Sequence, residues 1–194
     1  MLIKQRGTTL IEVMIAIAIV VILAAVGLPS FAEWLQNTKI RTAAESVQNG
    51  LQIARTEAVK RNAVVYFQAT DATNANWRVC LWDAALNDCA AGVDLVQSFV
   101  SSDGAPDVRI GGMPDATIAL TTPLGAGVNI PGHVGFTGFG RLVNNGTDLL
   151  RIDVINPKLA VADQRRLVIQ VSAGGQIKMC DPKLTLAQNP RGCA

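Results

Sequence analysis

The sequence predicts an α+β protein in which one long N-terminal helix, hydrophobic and then amphipathic, packs on an antiparallel β-sheet head. The first observation is an apolar run over residues 8–28. The second is an apolar spacing of three and four residues that continues to about Asn62 and is typical of an amphipathic helix. The third is a series of short strand-like runs from Ala63 onward, separated by turn-forming residues, which indicates antiparallel sheet.

The apolar run is long enough to cross a membrane. It contains about 21 residues, from Thr8 to Leu28, and as a helix it spans roughly 30 Å, the thickness of a bilayer's hydrocarbon core. Lys4 and Arg6 precede it, so we expect the N-terminus on the cytoplasmic side and the rest of the chain across the membrane. A secretory signal would be shorter and would end at a small-residue cleavage site, which residues 29–32 do not offer. The sequence therefore predicts a single-pass membrane protein.

The second helical stretch covers residues 30–62. Ser30 followed by Glu33 fits a capping box at its start. Gly27 and Pro29 lie at the join with the apolar run, and a proline removes one backbone donor and crowds the preceding turn. We therefore expect one long helix with a soft point at this join. The apolar residues that recur at three- and four-residue spacing and form its apolar face are Phe31, Trp34, Leu35, Ile40, Ala44, Val47, Leu51, Ala54 and Ala58.

The head shows several runs of strand composition and one strong hairpin signal. Asn145-Gly146 lies between the strand-like residues 141–143 and 149–154, a pattern that predicts a hairpin. The glycine-rich residues 104–132 are expected to form an irregular loop. Strands are predicted near residues 64–67, 77–82, 95–100, 134–136, 149–154 and 166–171.

The four cysteines form two pairs that are local in the sequence, Cys80 with Cys89 and Cys180 with Cys193. Three disulfide pairings are formally possible. The local pairing is favoured because each bridge would close a short excursion between predicted strands. Persistent disulfides would indicate an oxidising compartment such as the periplasm or the cell surface. The alternative is four buried free thiols in a cytosolic protein.

Catalytic and metal-binding patterns are not found in the sequence. The one histidine, His133, lies between Gly132 and Val134 and is expected in a turn or on the surface rather than as a base. The spacing of Asp71, Asp83, Asp88 and Asp94 does not match a calcium-binding loop. We therefore expect no enzyme activity, no metal and no cofactor.

One carboxylate, that of Glu12, lies inside the apolar run. A charge in a membrane-spanning helix costs about 2.5–3.5 kcal/mol on insertion scales. Glu12 could be a tolerated residue that reaches the interface from near the helix end, or it could have a partner from another chain.

The residues around Glu12 resemble the type III signal of type IV pilins and pseudopilins. After a short basic leader, Gly7 is followed by Thr-Thr-Leu-Ile-Glu over residues 8–12. The resemblance implies cleavage by prepilin peptidase between Gly7 and Thr8, N-methylation of Thr8, and an ion pair between Glu12 and the Thr8 amine of a neighbouring subunit. Pro29 falls where pilins commonly carry a helix-weakening proline. The sequence departs from the family at Thr8, where the usual residue is Phe.

Further motifs resemble the GspH/FimT-type minor pilins and pseudopilins. They lie at residues 51–62, 136–141, 168–178 and 180–193. The resemblance implies a leader peptide at residues 1–7, an assembly helix at 8–29, an amphipathic helix at 30–62, and a β-rich head at 63–194 with two local disulfides.

The function implied by this resemblance is that of a minor pilin of a type IV pilus. It would be anchored in the bacterial inner membrane with a periplasmic head, would assemble with other pilins through its N-terminal helix, and would act in pilus initiation or at the tip. The alternatives are a GspH-type pseudopilin of type II secretion, found in a pseudopilus, and a DNA-binding minor pilin for DNA uptake.

The DNA-binding alternative depends on a few basic residues near the C-terminus. Some FimT-type relatives bind DNA through a Gly-Arg-x-Arg element, but here residues 175–178 are Gly-Gln-Ile-Lys. The net charge is only +2, so binding would need a local patch and would be weak, non-specific and salt-sensitive. The alternative is an ordinary solvated surface. The candidate DNA contacts are Lys178, Lys183 and Arg191, helped by Arg165 and Arg166.

Overall fold

A computed structural model describes residues 8–83, 88–89, 95–115, 119–143 and 145–193. These residues form one long helix, α1 (Leu10–Arg61), followed by ten strands. It divides into two compact units, the first ending at Leu35 and the second running from Gln36 to Ala194. The helix packs on antiparallel and mixed β-sheets, so the predicted α+β class is confirmed.

The first unit contains the apolar half of α1. The helix is continuous through Gly27 and Pro29 to Arg61, so Ser30 lies within it and does not begin a second helix. The predicted capping box at Ser30 and Glu33 is therefore wrong, because uninterrupted backbone hydrogen bonding leaves no free helix end there to cap.

The buried face of α1 in the second unit follows the predicted spacing. Its apolar side chains recur every three or four residues, as one face of a helix requires. Burial of each large side chain such as Leu51 stabilises the fold by about 1.5–3 kcal/mol. Phe31, Trp34 and Leu35 continue the apolar spacing of the helix but are exposed. The fully buried residues are Ile40, Ala43, Ala44, Val47, Leu51, Ala54 and Ala58.

The first sheet contains β1 (Val65–Ala69), β2 (Trp77–Asp83), β3 (Asp88–Cys89), β4 (Leu95–Phe99) and β6 (Gly132–Phe136). Its order is β3-β2-β1-β6, and β4 also pairs with β2. All of these pairings are antiparallel.

The second sheet contains β5 (Arg109–Met113), β7 (Arg151–Ile155), β8 (Leu167–Val171), β9 (Ile177–Thr185) and β10 (Gly192–Cys193). Its order is β10-β9-β8-β7-β5. The short β10 pairs with β9 in parallel, and the other pairings are antiparallel.

A close approach between α1 and the first sheet explains Gly50. A Cβ at this position would lie 2.9 Å from the Trp77 ring, which itself stacks on Phe99 and contacts Phe67 at a tilt. The Trp77 indole donates a hydrogen bond to Ser46 Oγ at 2.9 Å. The absent side chain on α1 thus makes room for the largest aromatic group of the core.

The glycine-rich stretch at residues 104–132 is not wholly irregular, which corrects the sequence prediction. It contains β5 and reaches the start of β6. The glycines of β5 are required by packing: a Cβ on Gly111 would lie 2.3 Å from Gly125 O, and one on Gly112 would lie 2.6 Å from Leu149 Cδ1. Glycine here marks close approach by a backbone in one case and by a side chain in the other, rather than a turn.

The hairpin predicted around Asn145-Gly146 does not form. Strand β7 pairs with β5 and β8, and the preceding segment runs along β6 instead. Val143 N donates to Gly135 O at 3.0 Å, and Leu149 N donates to His133 O at 2.9 Å. The local turn signal is outweighed by pairing with strands that are distant in sequence.

Candidate assembly site and nucleic-acid interface

The N-terminus of α1 is closed by Thr9. The helix begins at Leu10, and Thr9 Oγ1 accepts a hydrogen bond from Glu12 N at 3.4 Å. Thr9 is therefore the N-cap residue, and Glu12 is the third helical residue, as in a capping box. The sequence analysis missed this pattern, although Thr-x-x-Glu is readable at residues 9–12. The Glu12 carboxylate lies at the positive end of the helix dipole, which favours a negative charge.

The predicted processing residues lie at the edge of the described chain. Thr8 is exposed and precedes the helix, and Glu12 is exposed in its first turn. Gly7 and the rest of the leader lie outside the described residues. Since both Thr8 and Glu12 are open to solvent, each is accessible to a group from another chain.

The apolar half of α1 is exposed along its length. The helix contains an 18-residue stretch that is apolar enough to cross a membrane, and none of that stretch is buried. An exposed apolar surface of this length needs lipid or protein to cover it. The side chains concerned include Leu10, Ile11, Val13, Met14, Ile15, Ile17, Ile19, Val20, Val21, Ile22, Leu23 and Leu28.

The predicted soft point falls inside this helix. A Cβ added at Gly27 would meet nothing within 4 Å, so packing does not require glycine there. The backbone is helical at both Gly27 and Pro29. Weakening of the helix by these two residues stays a prediction.

Both disulfides join neighbouring strands in the local arrangement. Cys80 on β2 is bonded to Cys89 on β3, with a Cα–Cα distance of 5.7 Å. Cys180 on β9 is bonded to Cys193 on β10, with a Cα–Cα distance of 5.0 Å. The second bridge ties the short parallel strand to the edge of its sheet.

The candidate DNA contacts lie along β9 and on the segment that pairs with it. Lys178 and Lys183 lie five positions apart on β9, which is about 16 Å along a strand. The Lys183 ammonium donates to Ala162 O. Arg191 lies in the turn before β10, where its carbonyl accepts a hydrogen bond from Asp181 N at 2.7 Å.

Arg166 cannot extend a DNA-binding patch, which corrects the sequence analysis. It is buried, and its guanidinium is paired with Asp153. Arg165 is exposed, and its backbone N donates to Asn37 Oδ1 at 2.6 Å. Of the two arginines, only Arg165 is open to solvent.

Asp153 is the centre of a buried charge network that the sequence analysis missed. The carboxylate is fully buried and accepts hydrogen bonds from Arg151 Nε at 2.7 Å, from Leu124 N at 3.0 Å, and from Arg166. Two buried guanidinium groups thus share one carboxylate, and the group as a whole carries one excess positive charge. The pattern Arg151-x-Asp153 in an apolar strand was the available signal, because alternate residues share one face.

Backbone carbonyls offset the excess charge of this network. Arg151 donates to Ala119 O at 3.2 Å and to Thr122 O at 2.6 Å. Arg166 donates to Leu120 O at 2.6 Å and to Thr121 O at 3.1 Å. The two arginines thereby fasten residues 119–122 to the second sheet.

His133 lies in β6 rather than in a turn, and it is half-buried. Its Nε2 is 3.3 Å from Thr147 Oγ1, and its ring meets Tyr66 edge-on with centroids 5.4 Å apart. Burial, with a smaller contribution from Asp148, raises the pKa of Tyr66. These contacts give His133 a packing role in the strand.

Asp71 organises the loop between β1 and β2. Its carboxylate accepts hydrogen bonds from Asn74 Nδ2 at 2.7 Å and from Thr73 N and Oγ1 at 2.7 and 2.6 Å. These bonds, that of Asn74 foremost, lower the pKa of Asp71. Within the described part of the chain, no three His, Cys, Asp or Glu residues are grouped as a metal site; Asp94 lies outside that part.

The comparisons with known proteins agree with this architecture. The family model described as prokaryotic N-terminal methylation motif matches residues 2–28, and the one described as type II transport protein GspH matches residues 43–175. No curated protein sequence matches the chain.

Two crystal structures of the type IV minor pilin FimU from Pseudomonas aeruginosa are similar in fold. The first (space group P21) has 17% identity and a TM-score of 0.52, and covers 83% of this chain and 99% of that chain. The second (space group P65) has 17% identity and a TM-score of 0.49, with 79% and 99% covered. The fold is thus similar to that of the minor pilin in the first structure, and the chain belongs to the family described as type II transport protein GspH.

Proposed function

We propose that this protein is a minor pilin that waits in the bacterial inner membrane as a single-pass protein and then assembles into a type IV pilus through α1, acting at initiation or at the tip. The observation that carries the proposal is the exposed apolar half of α1, with Glu12 in its first turn. Lipid covers such a surface before assembly, and other pilins cover it afterwards.

Prepilin peptidase would prepare this helix for assembly by cutting between Gly7 and Thr8. The cut creates an amine at Thr8, which is then N-methylated and remains a cation. The Glu12 carboxylate of one subunit neutralises the Thr8 amine of its neighbour. The pair matters because either charge alone is costly to bury in an apolar fibre core.

The test compares Glu12→Gln with the matched control Glu33→Gln, an exposed glutamate farther along the same helix. We expect both variants to reach the membrane fraction. Glu12→Gln leaves the neighbouring amine without a counter-charge. A loss of only about 1.4 kcal/mol in the free energy of assembly lowers incorporation about tenfold. Immunoblots of sheared fibres measure incorporation, and immunoblots of the membrane fraction measure how much protein reaches the membrane. Equal incorporation of both variants would contradict the charge-pairing step.

A GspH-type pseudopilin of type II secretion is the second candidate, and the description of the matching family model favours it. Its assembly chemistry is the same, but its client is a secreted protein. Deletion of the gene separates the two candidates: loss of surface pili with normal secretion supports the pilus, whereas loss of exoprotein secretion with normal pili supports the pseudopilus.

A further inference from the structure

An exposed aromatic pair lies on α1 directly after the apolar run. The rings of Phe31 and Trp34 stack with centroids 5.8 Å apart and an interplanar angle of 25°, yet 57% and 59% of these residues are exposed. Leu28 and Leu35, three residues before and four after Phe31, are also exposed and lie on the same helix face. We call Leu28, Phe31, Trp34 and Leu35 the aromatic stripe.

The aromatic stripe occupies one side of the helix only. At about 100° per residue, its four members lie within an arc of about 120°. Glu33 lies about 200° around the helix from Phe31 and is exposed. The segment is therefore apolar on one face and charged on the other, whereas residues 13–27 before it are apolar on all sides.

The position of the stripe along the helix matches the level of lipid headgroups. From Leu10, where the helix starts, twenty residues rise about 30 Å and reach Ser30, so the hydrocarbon core ends there. Phe31 and Trp34 then lie about 1.5 and 6 Å beyond it. The headgroup layer is about 5–7 Å thick on each side, so both rings fall at its level. A tilt of about 20° lowers them by only about 2 Å.

We propose that the aromatic stripe is an interfacial anchor that sits among the lipid headgroups and fixes how deeply α1 is inserted before assembly. Tryptophan is enriched at this level of membrane proteins because its ring is apolar and its N–H is polar. The lipid interface is the occupant that fits, since the stripe continues the membrane-spanning surface and lies at the matching height. The inference depends on the proposed function, because it requires α1 in a membrane.

The test uses the full chain in phosphatidylcholine vesicles whose lipids carry bromine near the headgroup, at mid-chain or near the bilayer centre. Bromine quenches tryptophan fluorescence on contact. Subtracting the fluorescence of Trp34→Phe from that of the wild type gives the signal of Trp34 alone, without that of Trp77 and Trp82. We expect the strongest quenching from bromine near the headgroup, and loss of most of that quenching in Trp34→Phe. The double variant Phe31→Trp/Trp34→Phe should shift the maximum toward mid-chain, since its ring lies about 4.5 Å deeper.

Flotation of the vesicles separates this inference from the proposed function. Protein that fails to float with lipid refutes membrane insertion and the anchor with it. Protein that floats, but is quenched equally in wild type and Trp34→Phe, overturns the anchor alone, as does a maximum with bromine at the bilayer centre. If a second copy covers the stripe, headgroup quenching is weak and rises as the protein is diluted with lipid; that result also overturns the anchor.

Discussion

Removal of the charge on Asp153 should strongly destabilise the head. In Asp153→Asn, two buried guanidinium groups lose the one carboxylate that neutralises them. The carbonyls of residues 119–122 remain as partners, but they carry no net charge. The amide also places a donor where a second acceptor is needed.

The size of the effect follows from the burial of the network. Removing one partner of a buried ion pair costs about 3–5 kcal/mol. For a domain of 150–250 residues each kcal/mol shifts the midpoint of thermal unfolding by about 2–4 °C, so the expected decrease is roughly 6–20 °C.

Urea unfolding of residues 36–194, monitored by tryptophan fluorescence, measures the loss in the free energy of unfolding. That segment contains the whole buried core of the head. Asp163→Asn is the matched control because Asp163 is exposed, and it should alter the free energy of unfolding by no more than about 0.5 kcal/mol. Arg166→Met should cost less than Asp153→Asn, since it leaves Arg151 and Asp153 as a neutral pair. A free energy of unfolding for Asp153→Asn within about 1 kcal/mol of wild type would refute the reasoning.

Three further predictions concern the surface and the turns. Hydrogen bonds from Arg61 and Lys60 lower the pKa of Glu57 from its ordinary 4.5, so Arg61→Gln should raise the Glu57 pKa measured by NMR titration. The stability that the ion pair contributes should be lost as the pH falls through the lowered pKa. Gly175→Ala should destabilise the head by more than the roughly 1–2 kcal/mol that a positive φ costs, because its Cβ would lie 2.0 Å from Gly140 O. Gly146 has a similar φ and open space around it, so Gly146→Ala measures the cost of the φ alone in the same urea assay. If the basic C-terminal residues bind DNA, the wild-type head should shift DNA in a gel at low salt, and the triple alanine variant of Lys178, Lys183 and Arg191 should not. Absence of a shift with the wild type would rule out DNA binding.

Periodicity predicted the helix well because one face of α1 is buried in the head. The apolar side chains between Ile40 and Ala58 that follow the three- and four-residue spacing are buried. Phe31 and Trp34 have the same spacing and are exposed. Spacing identifies an apolar face, but it cannot tell whether the same chain, lipid or another subunit covers that face.

The parts that could not be predicted depend on contacts distant in sequence. Strand β5 was missed because its glycines resemble a loop, whereas they allow a close approach by Gly125 and Leu149. The Asn145-Gly146 signal was local, while β7 pairs with β5 and β8. For the candidate site, the proposed peptidase and methylation residues, Gly7 and Thr8, are suggested by a contiguous motif and stay a prediction. The Asp153 network was not predicted, because charged residues are usually expected at the surface.

The way in which the arginines hold residues 119–122 has a consequence for mutational tolerance. Their guanidinium groups bind main-chain carbonyls, and every residue type supplies the same carbonyl. The path of this segment is therefore specified by two distant arginines rather than by its own side chains. Within the head, it is a stretch where exposed positions such as Ala119 and Thr122 can diverge, or carry an engineered label, at little cost to the fold.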